Sequence, residues 1–172
     1  FDTFWRDFPY GFLTEFLPKD YNFTLLDIGC GLGDGCQLLK KYFSLAHIEG
    51  ADFSPLAIKK AMQKNTDINY LVLDIKKENL PGRYDFISLV HILEHTNNPF
   101  LIVDKCLKHV NKAIFVITPY TEKFDNPRLY WRGEHRYLFN KDTFSRYKCT
   151  VLKITEQISP AGYKHIVYKI EP

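Results

Sequence analysis

Residues 25–35 read Leu25-Leu26-Asp27-Ile28-Gly29-Cys30-Gly31-Leu32-Gly33-Asp34-Gly35, an apolar run that meets an acid and then carries a glycine at every second position. A strand that breaks at once into small residues turns tightly and lets a ligand lie against bare main chain, because glycine has no Cβ in the way. The spacing excludes two common nucleotide loops. A dinucleotide fingerprint needs its third glycine at position 34, which is Asp34, and a P-loop needs a Lys-Ser/Thr pair that this turn lacks.

Further strands end in acids at matching places. The run His47-Ile-Glu-Gly-Ala-Asp52-Phe53 reaches Asp52 25 residues after Asp27, about where an open α/β sheet puts the acid that accepts ribose hydroxyls. Ser54-Pro55 then starts a helix. Asn69-Tyr-Leu-Val-Leu-Asp74-Ile75 is a short strand with a second acid at its end. Each acid alone is equally at home as a helix cap or loop residue. Their common register is what makes them a site.

Asp27-x-Gly29-x-Gly31-x-Gly33 resembles the first motif of the class I methyltransferases, which bind S-adenosylmethionine. Tyr84-Asp-Phe-Ile-Ser-Leu-Val-His91-Ile-Leu93-Glu94-His95 is similar to the small-molecule branch of that family, types 11, 12 and 23, and Lys112-Ala-Ile-Phe-Val-Ile-Thr-Pro-Tyr120 matches its next strand. The resemblance covers residues 20–157 and implies a methyl donor, S-adenosyl-L-methionine, with S-adenosyl-L-homocysteine as product. It places the methionine part along Gly29, Cys30, Gly31 and Gly33 beside Asp27, the ribose at Asp52 and Phe53, and the adenine at Asp74 and Ile75. The His91 backbone would lie near the sulfonium, while its side chain is either part of the site or a satisfied core imidazole.

At 172 residues and 45% hydrophobic content the chain suffices for one domain with a core and is short for two, so a single domain over 1–172 is expected. A net charge of +3 is mild, and the lysine pairs at 40–41, 59–60 and 76–77 are scattered. Solvated helix faces explain them better than a nucleic-acid patch. Cysteines 30, 36, 106 and 149 form no Cys-x-x-Cys pair and meet no zinc spacing, so free thiols in a reducing, cytoplasmic compartment are expected and no metal. No run of 18 apolar residues supports a membrane span. The sequence opens on Phe1 without an initiator Met, so a targeting segment is not excluded.

Strand-like runs at 23–28, 47–52, 69–73, 84–90 and 112–118 alternate with helical patterns at 33–43, 55–65 and 98–109, the mark of βαβ crossovers and a parallel sheet. After residue 140 the pattern changes. Residues 140–147 read as a capped helix, and 150–157 and 163–170 as strands joined by Ser159-Pro-Ala-Gly, a hairpin signal. The expected fold is therefore α/β, a Rossmann-like doubly wound sheet, mostly parallel, with an antiparallel C-terminal hairpin strand. Aromatics crowd residues 1–20, as a helix on the sheet edge or as a cap in which Trp5, Arg6 and Tyr10 line the site. A second aromatic group falls in 119–139, where a long irregular stretch suits a flap over an acceptor.

The resemblance implies transfer of a methyl group to a small molecule, with oxygen on a sugar, glycan precursor or quinone-like metabolite favoured because the Asx-Pro-Pro-Tyr signature of amine-directed enzymes is absent after the fourth strand. An RNA or protein methyltransferase, or a non-catalytic S-adenosylmethionine-binding module, are the alternatives. Alignment of acceptor, carbon and sulfur can lower such a barrier by roughly 7 to 11 kcal/mol. A hydroxyl acceptor must also lose a proton, and His95 and His135 are the candidate bases. Tyr137 and Lys141 have the spacing of a dehydrogenase proton relay, but that pairing falls after the fifth strand in a chain without the matching glycines.

Overall fold

The computed structural model of the chain describes residues 2–19, 22–121, 135–155 and 164–172, with side chains from Pro9 onward. Among the described residues seven strands form one sheet: β1 (Thr24–Ile28), β2 (His47–Asp52), β3 (Asn69–Val72), β4 (Tyr84–Val90), β5 (Val110–Tyr120), β6 (Lys148–Ile154) and β7 (Lys164–Glu171). Their order is β3-β2-β1-β4-β5-β7-β6, parallel from β3 to β5 and antiparallel at β7 and β6. The doubly wound sheet with an antiparallel end is the expected one. Helices α1 (Asp2–Phe16), α2 (Asp34–Tyr42), α3 (Pro55–Lys64) and α4 (Pro99–Leu107) complete it. Among the described residues no helix is long and apolar enough to cross a membrane.

Period-two alternation sorts the central strands between two cores. Leu25, Phe86, Val90, Phe115, Ile117 and Val167 pack with Leu13 of α1, Leu39 of α2 and Ile58 of α3 on one face. Leu26, Ile28, Ile87, Leu89, Val116 and Tyr168 pack with Ile102, Val103 and Cys106 of α4 and with Phe139 and Phe144 on the other. With both faces covered, these strands read as nearly continuous apolar runs. Truncating such a side chain, for example Leu25→Ala, is expected to cost about 2–5 kcal/mol.

Local signals set the ends of the elements. Ser54 Oγ accepts from the Ala57 amide and Pro55 opens α3, while Pro99 opens α4. One expected element is corrected. Residues 140–147 form successive turns, with amides of Thr143, Ser145 and Tyr147 donating to carbonyls three residues back, because β6 begins at Lys148 before a helix can propagate. The cap itself is real: Asn140 Oδ1 accepts from the Asp142 amide at 2.9 Å. The hairpin turn at 159–162, most of the 119–139 flap and the side chains of Trp5 and Arg6 lie outside the described residues.

Candidate functional site

The carboxyl ends of β1, β2 and β4 open into two cavities that share Gly29. One, about 580 Å³, is lined by Gly29, Asp52, Phe53, Asp74, Ile75, Ile92, His95 and neighbours. The other, about 330 Å³, is lined by Tyr10, Gly29, Cys30, Gly31, Leu32, Val90 and His91 among others. A furrow of about 710 Å³ beside α2, edged by Lys40, Lys41 and Lys64, is lined by neither the strand-end acids nor the glycines at 29–33. The candidate ligand space is therefore the pair of cavities that meet at Gly29.

Backbone hydrogen bonds fix the glycine turn. Amides of Gly29 and Cys30 both donate to Ala51 O, at 2.6 and 3.0 Å, which ties the turn to β2. Asp52 completes the tie, accepting from the Gly31 amide at 3.1 Å through one oxygen and from the Ser54 amide at 2.8 Å through the other. Gly31 has φ +55° and open space where a Cβ would be, so it presents bare main chain to the cavity. Gly33 has φ +79°, and there a Cβ would run into the Tyr70 ring.

Asp27 is not at the surface. Its carboxylate is fully buried and accepts from Tyr10 Oη at 2.8 Å, Ser88 Oγ at 2.6 Å and Cys36 Sγ at 3.5 Å. Burial pushes its carboxyl up to about 6, partly opposed by those hydrogen bonds. Gly33 is likewise buried and lines neither cavity. Asp27 and Gly33, expected beside the ligand, line neither cavity and shape the turn from behind.

The other wall is more open. Phe53 is 72% exposed at the lip of the larger cavity, where a ring face is available for stacking. Asp74 sits two residues past β3, its carboxylate taking the Lys76 amide at 3.1 Å and Lys77 Nζ at 3.1 Å. The Lys77 contact heads the causes that lower its carboxyl.

Four histidines and a glutamate gather where β4 ends. His91 is the one non-glycine residue among those described with positive φ, at 55°. That backbone aims its ring between Glu94, with Nδ1 3.1 Å from Oε1, and His165 on β7, with Nε2 3.0 Å from Nε2. Burial, aided by His91, pushes His165 down to about 3, so it is neutral near pH 7. In the Nε2···Nε2 contact one ring donates and the other accepts. The side chain of His91 is thus both cavity wall and part of a buried chain.

His95, in the single turn Leu93–His95, stands with its ring centroid 5.2 Å from that of His135 in an edge-on pair. The two histidines singled out separately in the sequence are neighbours. His95 lines the larger cavity, and His135 is its ring neighbour without lining that cavity itself. The amides of Arg136 and Tyr137 hold this arrangement by donating to Glu94 O at 2.6 and 3.2 Å. Sequence reading missed Ser88, Cys36 and His165 as site residues, since none stands in a spacing pattern of its own, and it quoted Glu94 within Leu93-Glu94-His95 without giving it a role.

Comparison with known proteins gives one family: the model described as "Methyltransferase domain" matches residues 4–148. A ubiquinone biosynthesis O-methyltransferase from Paraburkholderia xenovorans is 33% identical over 90 residues, 48% of this chain and 38% of that protein. A malonyl-[acyl-carrier protein] O-methyltransferase from Ilyobacter polytropus is 35% identical over 72 residues, 40% of this chain and 26% of its own length. The chain therefore spans well under half of the curated relatives it matches. In structure it is similar to a plantazolicin methyltransferase in complex with SAH, with TM-score 0.72 and 18% identity over 98% of this chain and 84% of that one. A magnesium protoporphyrin IX methyltransferase from Synechocystis with bound SAM has TM-score 0.71 and 15% identity, over 99% and 79%. At these identities the structures show a shared fold.

Proposed function

The chain belongs to the methyltransferase domain family, and from that premise we propose that it transfers a methyl group from S-adenosylmethionine to an oxygen of a small-molecule acceptor. The observation that carries the reading is the glycine turn at the junction of the two cavities. At Gly31 the space a Cβ would fill is open and faces the smaller cavity, which fits a ligand drawn along the main chain. When bound, the cofactor supplies a methyl already activated on a sulfonium.

The residues divide the work. Gly29, Cys30, Gly31 and His91 would hold the amino-acid end, and Tyr10 closes that cavity from α1. Asp52 and Asp74 accept hydroxyl and amino protons of a nucleoside, with Phe53 and Ile75 as its apolar contacts. Alignment is the main catalytic contribution for a donor of this kind. His95 or its neighbour His135 takes the proton of a hydroxyl acceptor. Oxygen as the accepting atom is supported by relatives whose names are those of O-methyltransferases, and a quinone-like acceptor by the ubiquinone biosynthesis one.

Thermal shift decides the cofactor. S-adenosylhomocysteine must raise the unfolding midpoint by mass action while NAD leaves it in place, and the opposite pattern sinks the reading. Turnover of a panel of hydroxylated acceptors with wild-type, His95→Ala and His135→Ala proteins then tests the chemistry. Cofactor binding with no methylated product from any acceptor would leave a binding module instead of an enzyme.

A further inference from the structure

We propose that Glu94, His95 and His135 form a binding site for a first-row divalent metal ion, open to the larger cavity. One carboxylate oxygen and one ring nitrogen from each histidine lie within 4.8 Å of one another. Ligands around a single ion stand at about 2.0–2.2 Å from it, so donors at that mutual spacing close on one centre with small rotations.

The second observation is the state of Glu94. It is 1% exposed, and its Oε2 makes no hydrogen bond, while Oε1 faces His91 Nδ1 at 3.1 Å. A buried carboxylate oxygen without a donor is expensive, and a cation beside it removes the cost. The His91 contact is the kind of outer support that orients a ligating carboxylate. Two imidazoles and one carboxylate favour the manganese-to-zinc series over calcium or magnesium, which take all-oxygen sets. Three protein ligands also leave coordination positions open.

The use of this site rests on the methyl-transfer reading and deepens it. His95 is both a ligand and a wall of the cavity, so an open position points to where an acceptor enters. An acceptor with a hydroxyl, best with a second oxygen on the adjacent carbon, would bind the ion through oxygen. With the ion bound, His95 and His135 serve as its ligands in place of acting as the base: the O–H bond breaks with its proton passing to solvent water, and the oxygen keeps the electron pair as the nucleophile. The substrate class narrows to vicinal oxygen pairs.

The test is titration of chelator-treated protein with Co²⁺, read by its visible absorption. One equivalent should bind with bands of mixed nitrogen and oxygen ligation. His135→Ala, checked for native circular dichroism, should weaken binding on the order of 100-fold. Glu94→Gln serves as the second variant, with the same expected loss. S-adenosylhomocysteine binding to metal-free wild type, measured alongside, should be present. No Co²⁺ binding to wild type, or equal binding in both variants, overturns the site. Co²⁺ binding that follows this pattern without any S-adenosylhomocysteine binding keeps the site and removes the methyl-transfer reading.

Discussion

Tyr10 of α1 donates a 2.8 Å hydrogen bond to Asp27 at the end of β1, so the amino-terminal helix is fastened to the acid beneath the glycine turn. Tyr10 also lines the smaller cavity, and its ring occupies the space a Cβ at Gly35 would need. The helix therefore packs on one face of the sheet through Leu13 and also walls the smaller cavity through Tyr10.

The burial of Asp27 behind that contact gives a pH signature. Asp27 sits at about 6 when folded, above the unfolded value near 4. Below about pH 4 it is protonated in both states and carries no penalty. As pH rises from about 4 to 6 the unfolded chain ionises first, so stability falls by about 1.4 kcal/mol per unit, roughly 3 kcal/mol in all. Chemical denaturation across this range should show wild-type stability falling relative to that of Asp27→Asn, the His165 limb being common to both proteins. A constant difference between the two proteins would refute it.

His165 has the opposite sign. Its folded value of about 3 lies below the unfolded value near 6.5, so both states are neutral above pH 6.5. As pH falls below that, the unfolded chain takes the proton first and stability drops by about 1.4 kcal/mol per unit. His165→Gln should be the more acid-resistant protein relative to its own stability at pH 8. Between pH 4 and 6 the two slopes oppose each other, so each single variant exposes the other residue's limb.

Two neighbouring glycines should fail differently. Gly33→Ala forces the Tyr70 ring aside, a ring tied to Asn65 Nδ2 at 3.2 Å, and is expected to cost roughly 2–5 kcal/mol of stability. Gly31→Ala meets open space, so it should cost about 1–2 kcal/mol for its left-handed backbone. It should nevertheless weaken S-adenosylhomocysteine about tenfold or more by filling the cavity. Calorimetric affinity and melting temperature separate the two. Equal loss of affinity and stability in both variants would contradict the assignment of Gly31 to the ligand side.

At the lip of the larger cavity, Phe53→Ala removes a ring that is 72% exposed and so should leave the melting temperature nearly unchanged. Loss of the stacking surface should raise the dissociation constant for S-adenosylhomocysteine about tenfold, a stacked ring contributing roughly 1–1.5 kcal/mol. An unaltered constant would remove Phe53 from the site.

How much was legible depended on distance along the chain. The glycine turn, Asp52, Asp74 and the strand-helix alternation were readable because each is a local pattern of period two, period 3.6 or a strand end. Residues 140–147 were misread as a helix because a good cap was present while the nearby start of β6 was not weighed. Asp27 was placed against the ligand on motif grounds, although only the packed structure shows Tyr10, Ser88 and Cys36 surrounding it.

The sequence by itself determined the sheet, its antiparallel ending and the kind of ligand the first turn accepts, since glycine spacing and hydrophobic period act through the backbone nearby. The tertiary structure alone decided which side chains meet. It put His165 against His91 across 74 residues of sequence, and it brought His95, His135 and Glu94 to one point. Those meetings follow from sheet order and from β7 returning beside β5, and no local propensity encodes where a returning strand sets its side chains.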